Sequence, residues 1–370
     1  MERIAKDTYD GKLKRGDLDP AHIQKTYDEL TNAAIDGDKN WLKVAKSTGA
    51  PSLTSLKMQQ NLYWFSGAKD YTMLTDLNTR LVKDGKIQNW SAFKKQALEL
   101  NKTYNENYLK REWKTSKQSA LMAQNWSEYV RNQDTYKNLK YKTQEDNLVR
   151  EAHVLLNNII KPVNDPWWKT HYPPNGYGPC RCYVIQTNEA ATSEQDTPIL
   201  NNKDFPPEFR TNVGETGQTF KESTANGGKP HPFIQLAKDT PGVEKNVNKL
   251  FFKLNQTRAV KILVDKTTKH SELSNEITFN ATSIRHAFNQ PHKNYAIKNQ
   301  ILPFINTVIT KAEYLGFSTY KKNDAFSGAH IFKTIINDDE SYIIVRETWG
   351  GKLIFYSISD SKKVAIDAKK

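Results

Sequence analysis

Two groups of residues in this 370-residue chain have side chains suited to binding a metal or acting on a phosphate. The first group is the protein's two cysteines, Cys180 and Cys182, together with His153 and His171 earlier in the sequence. Thiolates and imidazoles are good zinc ligands, so these four side chains are a candidate zinc site. The CxC spacing argues against it, because CxxC turns two sulfurs toward one ion more readily. We therefore favour the alternative, in which thiols and aromatic side chains form a buried cluster that stabilises a loop.

The second group lies in the last third of the chain and combines a histidine with two cations and a hydroxyl. It comprises His286, Lys333, Arg346 and Ser357. Histidine ionises near neutral pH and can transfer a proton, while cations stabilise charge that develops on a phosphate. His292 and His330 are substitutes if His286 proves to be buried. The alternative is that the histidine is an ordinary polar helix residue and the cations are solvated.

The turn sequences NDDE and Gly350–Gly351 predict how the last strands pair. Taken as tight turns, they place Lys333 opposite Ile344 and Ile344 opposite Ser357. Because side chains alternate along a strand, Lys333, Arg346 and Ser357 then share one face, with no carboxylate expected nearby on the same strands. The residues predicted to share the core face are Phe332, Ile343, Val345, Ile354, Tyr356 and Ile358. The cationic face would suit a phosphate.

The pattern of apolar residues predicts an α+β protein. Up to about residue 150 apolar residues recur at intervals of three and four, which is typical of helices. The clearest helix follows Ser91, a plausible N-cap, and its predicted buried face comprises Phe93, Ala97, Leu100, Tyr104 and Tyr108. Gly67 is predicted to interrupt a helix upstream. Residues 188–242 are polar and rich in glycine and proline, which predicts a loop-rich tail and linker.

Residues 243–370 predict a small α+β unit in which helices are followed by a four-stranded antiparallel sheet. Asn280 is the expected N-cap of one helix. A second helix is expected from Ile297 through Ala312 to a stop at Gly316. The predicted domains are therefore 1–187, 188–242 and 243–370, the first of them mainly helical.

The chain carries 54 Lys and Arg against 41 Asp and Glu, a formal charge of +13, with a calculated pI near 9.3. This excess suits an anionic partner such as nucleic acid, although a basic soluble surface is an equal alternative. No apolar run approaches the roughly 18 to 20 residues that span a bilayer, and the first residues lack the apolar core of a signal peptide. We expect a soluble protein made in the cytosol, with no membrane span, no cofactor and no disulfide.

The region around the cysteines resembles a known family. Its motifs, in order, are Tyr141, Asp146, Arg150 and His153, then Asp165, Pro166 and Trp168, then Pro173 to Gly176, and finally Cys180, Arg181 and Cys182. They resemble the phage Mu protein F family of minor head (head morphogenesis) proteins, over roughly residues 30–235. The resemblance implies a structural role inside the phage head, with portal and capsid proteins as partners and packaged DNA nearby. It also implies a location in the virion and, during assembly, in the host cytoplasm. We expect Arg181 to pair with Asp146 or Asp165.

The C-terminal segment, with a histidine-bearing helix before a strand meander, resembles phage barnase/EndoU/colicin/RelE-like nucleases. The resemblance implies a metal-independent ribonuclease acting on RNA, whether tRNA or another RNA. In that reading His286 is the general base or acid, Lys333 and Arg346 stabilise the phosphorane, and Ser357 orients the phosphate. Two alternatives stay open: an inactive module that binds nucleic acid, and a bacterial toxin delivered by a phage-like particle.

Overall fold

The structure is a computed structural model, which describes residues 1–176, 180–203, 205–290, 293–319 and 325–366. Two compact units are present. The first combines residues 1–41 and 57–248, and the second combines residues 42–56 with the chain from residue 249 onward. These two units are defined by which residues pack together. The division of the chain into the domains 1–187, 188–242 and 243–370 remains a prediction from the sequence. Among the described residues, no helix combines the length and apolar character needed to cross a membrane.

The N-terminal region, predicted as residues 1–187, is mainly helical, and the elements given next are those of residues 1–248. Their longer helices are α1 (Glu2–Tyr9), α2 (Pro20–Gly37), α3 (Leu53–Leu81), α4 (Trp90–Asn101), α5 (Leu109–Arg131), α9 (Pro232–Asp239) and the start of α10 (Val243–Leu263). Single-turn helices are α6 (Glu151–Val154), α7 (Trp168–His171) and α8 (Val213–Thr216), with 3-10 turns at Pro207–Phe209 and Ala225–Gly227. The strands are β1 (Val82–Lys83), β2 (Lys86–Ile87), β3 (Asn138–Lys142), β4 (Ile160–Pro162) and β5 (Tyr183–Thr187). Both α3 and α10 contribute residues to both units.

Helix α4 confirms the predicted apolar face, although its start differs by two residues. The N-cap is Asn89, whose side chain accepts a hydrogen bond from the backbone N–H of Ala92 at 2.9 Å, in place of the predicted Ser91. The first four residues of the predicted face are buried, and Tyr108 is 37 % exposed. The chain continues from α4 into α5 through a π-helical stretch, Lys102–Tyr108.

Gly67 does not interrupt its helix, because α3 runs continuously from Leu53 to Leu81. A Cβ at residue 67 would lie 2.6 Å from a methyl of Val247 on α10. The glycine therefore allows α3 and α10 to pack closely, and its own backbone is part of the continuous helix α3.

Strands β4, β3 and β5 form an antiparallel sheet in that order. The core beneath it is aromatic and includes Met122, Trp126, Tyr141, Trp168, Tyr172 and Val184. Residues 188–242 are loop-rich, as their composition predicted, yet they are packed on the first unit. Phe220, for example, stacks on Phe65 with ring centroids 3.6 Å apart.

Within the described residues, the second unit is a six-stranded sheet with most of its helices packed on one face and the short C-terminal helix packed on the other. Its strands are β6 (Thr267–Thr268), β7 (Ile277–Thr278), β8 (Glu313–Thr319), β9 (Phe326–Ile336), β10 (Asp339–Thr348) and β11 (Leu353–Ser359). They lie in the order β6-β7-β11-β10-β9-β8, and the β11–β7 pair is parallel. The sheet therefore has more strands than the predicted four, because the two-residue strands β6 and β7 extend it beyond β11.

The helices of this unit are the rest of α10, then α11 (Ala281–Phe288), α12 (Tyr295–Ile301) and α13 (Ile305–Ile309), with α14 (Lys363–Ile366) near the end. Asn280 caps α11 as predicted, since its side chain accepts from the N–H of Ser283 at 2.8 Å. The predicted helix 297–312 is broken by a 3-10 turn at Leu302–Phe304, where Pro303 lacks a backbone donor. Gly316 lies inside β8 and not at a helix end.

The pairing of β9 with β10 differs from the predicted register. Asn337 and Asp338 both have positive φ and form the turn, so Lys333 lies opposite Tyr342 and not Ile344. The predicted pairing of Ile344 with Ser357 is confirmed. The buried core of this unit includes Phe332, Ile343, Val345, Phe355 and Ile358.

Candidate functional site

The two cysteines and His153 meet in the first unit. His153 lies on α6, and Cys180 and Cys182 lie on the extended segment that leads into β5. The Nδ1 atom of His153 is 3.4 Å from the Cys182 sulfur and 3.9 Å from the Cys180 sulfur. All three side chains are buried, both thiols are free, and the three donor atoms lie within 4.8 Å of one another.

The CxC spacing brings the sulfurs together, contrary to our expectation that it would do so poorly. In an extended segment, residues separated by one position point to the same side. The intervening Arg181 points the other way and donates two hydrogen bonds to the Asp146 carboxylate, at 2.7 and 2.6 Å. This confirms the predicted ion pair with Asp146. The Asp165 carboxylate instead accepts from the backbone N–H of Trp167.

The two thiols ionise as a pair. A hydrogen bond from Cys182 and the neighbouring His153 hold the pKa of Cys180 well below its usual value, against the effect of burial. The same hydrogen bond, together with burial, raises the pKa of Cys182. The Asn175 backbone N–H also points at the Cys180 sulfur, and the Tyr141 hydroxyl interacts with Cys182.

His171 does not join this cluster. Its ring stacks on Trp167 and on Phe205, with centroids 4.3 and 4.9 Å apart, and Nδ1 lies 2.7 Å from the Thr170 hydroxyl. Burial lowers the pKa of His171 to about 4. The four-ligand zinc set that includes His171 was therefore wrong, whereas its other three members are together.

The remaining motif residues support this cluster. Trp168 is fully buried and donates its indole N–H to the Pro162 carbonyl at 2.9 Å. Arg150 lies against Gly176, where a Cβ would be 2.4 Å from the guanidinium and where φ is +151°. A side chain at residue 176 would displace Arg150 from the edge of the cluster.

A second site forms around Tyr356 in the second unit. The His286 ring lies 4.4 Å from the Tyr356 ring, and the Arg346 guanidinium lies 3.3 Å from the centroid of that ring. Arg346 also lies over Phe326 at 5.1 Å. A cavity of about 360 Å³ is lined by Asn280, Thr282, Ser283, Phe326, Arg346, Ile354 and Tyr356. Burial, and then the charge of Arg346, lower the pKa of His286.

Tyr356 reaches this position because of a β-bulge. Ile344 pairs with Ser357 and Val345 pairs with Phe355, so Tyr356 is an extra residue in β11. Below the bulge, Ile354 lies opposite Arg346 and shares its face. Our assignment of Ile354 and Tyr356 to the core face was wrong for this reason. Tyr356 is a candidate functional residue that the sequence did not identify, since a bulge leaves no clear pattern in one sequence.

The side chains of Lys333 and Ser357 do not join His286 and Arg346 at the Tyr356 ring. Lys333 forms an ion pair at 2.7 Å with Glu313 of β8, a carboxylate from outside the three strands that carry Lys333, Arg346 and Ser357. Lys333 pairs with Tyr342, four residues along β10 from Arg346, which is about 13 Å at 3.3 Å per residue. Ser357 is buried and donates its hydroxyl to the Ile358 carbonyl.

The two histidines named as substitutes for His286 are not part of the Tyr356 site as described. His292 lies outside the described residues, and both ring nitrogens of His330 have hydrogen-bond partners elsewhere. The two ring nitrogens of His330 contact the Tyr314 hydroxyl at 2.9 Å and the Glu347 carboxylate at 3.0 Å. Burial lowers the pKa of His330, although Glu347 opposes that effect. His330 therefore has the contacts of a structural histidine.

Comparison with known proteins assigns family resemblances to parts of both units. Residues 75–185 match the family model described as "Phage Mu protein F like protein", a narrower range than the predicted 30–235. One curated relative is "Putative capsid assembly protein F" of Escherichia phage Mu, 28% identical over 109 residues, which are 29% of this chain and 25% of the relative. Another is "Mu-like prophage FluMu F protein" of Haemophilus influenzae, 29% identical over 116 residues, which are 28% of each protein. The chain thus spans about a quarter of the length of these relatives.

Residues 254–356 match a family model described as "Large polyvalent protein-associated domain 3". The matched range contains α11, strands β6 to β10 and the part of β11 that ends at Tyr356. The description of this family names no activity. No solved structure matches the chain. The nuclease resemblance consequently remains a prediction.

Proposed function

We propose that this chain is a minor head protein of a Mu-like phage or prophage and acts in capsid assembly near the portal. The observation that carries the proposal is the match of residues 75–185 to the Mu F family and to a capsid assembly protein. Its partners would be portal and capsid proteins, with packaged DNA close by, and it would be found in the virion and in the host cytoplasm during assembly. The formal charge of +13 is compatible with an anionic polymer nearby.

The matched segment also contains most of one buried cluster of the first unit. Residues 75–185 contain α5, β3, β4 and most of the buried aromatic cluster around Trp168 and Tyr172. A substitution in that cluster should therefore impair assembly. This can be tested in a prophage whose own copy has been deleted, with plasmid complementation and electron microscopy of the released heads.

We expect the deletion to reduce DNA-filled, infectious particles, and we expect the intact chain to restore them. Trp168→Ala removes a fully buried indole at a cost of roughly 3 to 5 kcal/mol and should fail to restore them. Trp349→Ala, at a 68 % exposed tryptophan, is the matched control and should complement. A normal yield of infectious particles from the deletion strain would contradict the proposal.

For the second unit we infer a role in binding and cleaving RNA. The observation in its favour is the contact of both His286 and Arg346 with Tyr356. A lowered pKa keeps His286 neutral at pH 7, so its ring can accept the 2′-hydroxyl proton of RNA. The 2′-oxygen would then attack phosphorus, Arg346 would stabilise the phosphorane charge, and the 5′-oxygen would leave with a proton from water. A 2′,3′-cyclic phosphate and a 5′-hydroxyl would result.

The full chain should be tested against single-stranded RNA and tRNA in buffer containing EDTA, with product ends identified by mass spectrometry. We expect cyclic-phosphate products from the intact chain, and loss of cleavage in His286→Ala and Arg346→Gln. Lys311→Gln, at an exposed cation of the same unit, should cleave normally. RNA binding without cleavage would support the inactive-module alternative, and cleavage unaffected by His286→Ala would overturn the catalytic assignment. Killing of recipient cells by particles carrying the chain would support the toxin alternative.

A further inference from the structure

The His153, Cys180 and Cys182 cluster has the spacing of a metal site. Zinc binds sulfur at about 2.3 Å and imidazole nitrogen at about 2.0 Å, so tetrahedral geometry separates the two donors by about 3.6 Å. The observed separations of His153 Nδ1 from the two sulfurs are 3.4 and 3.9 Å. Both separations differ from this value by only a few tenths of an ångström.

The surroundings of the Cys180 sulfur match those of a metal-bound thiolate. The Cys180 sulfur has the Asn175 N–H as a neighbour that would stabilise negative charge, and the Tyr141 hydroxyl donates its hydrogen bond to the Asn175 side-chain oxygen at 3.1 Å. The other ring nitrogen of His153, Nε2, is buried and has no hydrogen-bond partner among the described residues. Burying a poorly bonded imidazole beside two thiols costs free energy, and metal coordination through Nδ1 would offset that cost.

The cluster also opens onto a cavity. A space of about 300 Å³ is lined by Gln144, Leu148, Val149, Arg150, His153, Cys180, Arg181 and Cys182. Among the described residues, no fourth histidine, cysteine or carboxylate joins the three donors. We propose that His153, Cys180 and Cys182 bind Zn²⁺ as three protein ligands, and that the fourth position opens onto this cavity and holds water or an exogenous ligand.

The chemistry of the donors selects the ion. Two thiolates and one imidazole favour zinc over magnesium or calcium, which prefer oxygen ligands. Binding would displace the two thiol protons, and it would tie α6 to the segment that begins β5.

The test uses the full chain purified with a thiol reductant, and it measures bound metal by mass spectrometry and thiols by chemical titration. We expect about one zinc per chain, which a strong chelator removes with a fall in Tm. Replacement by Co²⁺ should give thiolate charge-transfer and tetrahedral d–d absorption bands. His153→Gln, Cys180→Ser and Cys182→Ser should each lose the zinc and the Co²⁺ bands, whereas the control His171→Gln should keep both.

Other outcomes overturn the proposal. They are fully reduced thiols without stoichiometric metal, a stoichiometric cuprous ion in place of zinc, a Cys180–Cys182 disulfide in freshly purified protein, or zinc retained in Cys182→Ser. If a variant does not fold, zinc titration of the chelated intact chain decides the question, because absence of a Tm rise with one equivalent would equally refute the site.

Discussion

The buried ion pair between Lys69 on α3 and Glu112 on α5 offers a sharp test of how the helical unit is held together. The ammonium and carboxylate are 2.5 Å apart, and the two side chains are 0% and 8% exposed. Burial lowers the pKa of Lys69 and raises the pKa of Glu112, while their mutual attraction opposes both changes. Glu112→Gln would leave the lysine ammonium buried without its charged partner.

Breaking one side of such a pair costs about 3 to 5 kcal/mol, because the remaining charge is not solvated. Replacing both partners with apolar residues is often neutral, so Lys69→Met/Glu112→Leu should recover most of the loss. Glu128→Gln, at an exposed position of the same helix, is the matched control and should change stability by about 0.5 kcal/mol or less.

The assay is urea unfolding of the full chain followed by tryptophan fluorescence. Of the eight tryptophans, those within the first unit are Trp41, Trp64, Trp90, Trp113, Trp126, Trp167 and Trp168, so the signal reports mainly on that unit. The midpoint should fall strongly for Glu112→Gln and recover in the double variant. A Glu112→Gln midpoint equal to that of Glu128→Gln would refute the reasoning.

Three further outcomes are expected. Lowering the pH from 7 to 4 should destabilise the first unit, because burial lowers the pKa of His171 to about 4 and of His231 to about 3. The stability contributed by the two neutral rings is complete above the usual histidine pKa near 6.5 and is lost as the pH falls toward these lower values. Each histidine then costs up to about 1.4 kcal/mol of unfolding free energy per pH unit. Urea unfolding at each pH measures the loss, and equal midpoints at pH 7 and 4 would contradict this. Gly67→Ala should cost about 1 to 3 kcal/mol in the same assay, and Val247→Ala should restore part of it; an unchanged midpoint would exclude the close packing. Tyr356→Phe should retain RNA binding and Tyr356→Ala should weaken it, as measured by fluorescence anisotropy, and equal affinities would remove the ring from the site.

Much of the fold follows from local patterns that a single sequence contains. The buried face from Phe93 to Tyr104 follows from helical spacing, and the Asn280 cap follows from a side chain that can accept a backbone hydrogen bond. The pairing of Arg181 with Asp146 was predictable because opposite charges flanked one loop. These features depend on neighbours in the sequence or on simple complementarity.

The failures concern features that depend on distant contacts. From the sequence alone Gly67 is predicted to interrupt a helix, but its role depends on packing against Val247, 180 positions later. The bulge at Tyr356 changed which residues share a face, since a shift of one position moves a side chain to the other side of a sheet. The positive-φ turn at Asn337 shifted the pairing of β9 with β10 by two positions, which keeps the faces and moves Lys333 along the strand. Likewise, the sequence named His153 and His171 as candidate partners of Cys180 and Cys182. Only the structure shows that His171 is not part of the cluster, because its ring stacks on Trp167 and Phe205.

The central claim, that this chain is a component of a phage head, is tested most directly by quantitative mass spectrometry of purified particles. Particles released from an induced strain that carries the gene would be banded by density and analysed for peptides from residues 75–185 and 254–356. We predict that both sets are present in DNA-filled heads, at equal and low copy number relative to the major capsid protein. Their absence from these heads and from assembly intermediates, while the chain is abundant in the lysate, would contradict the account.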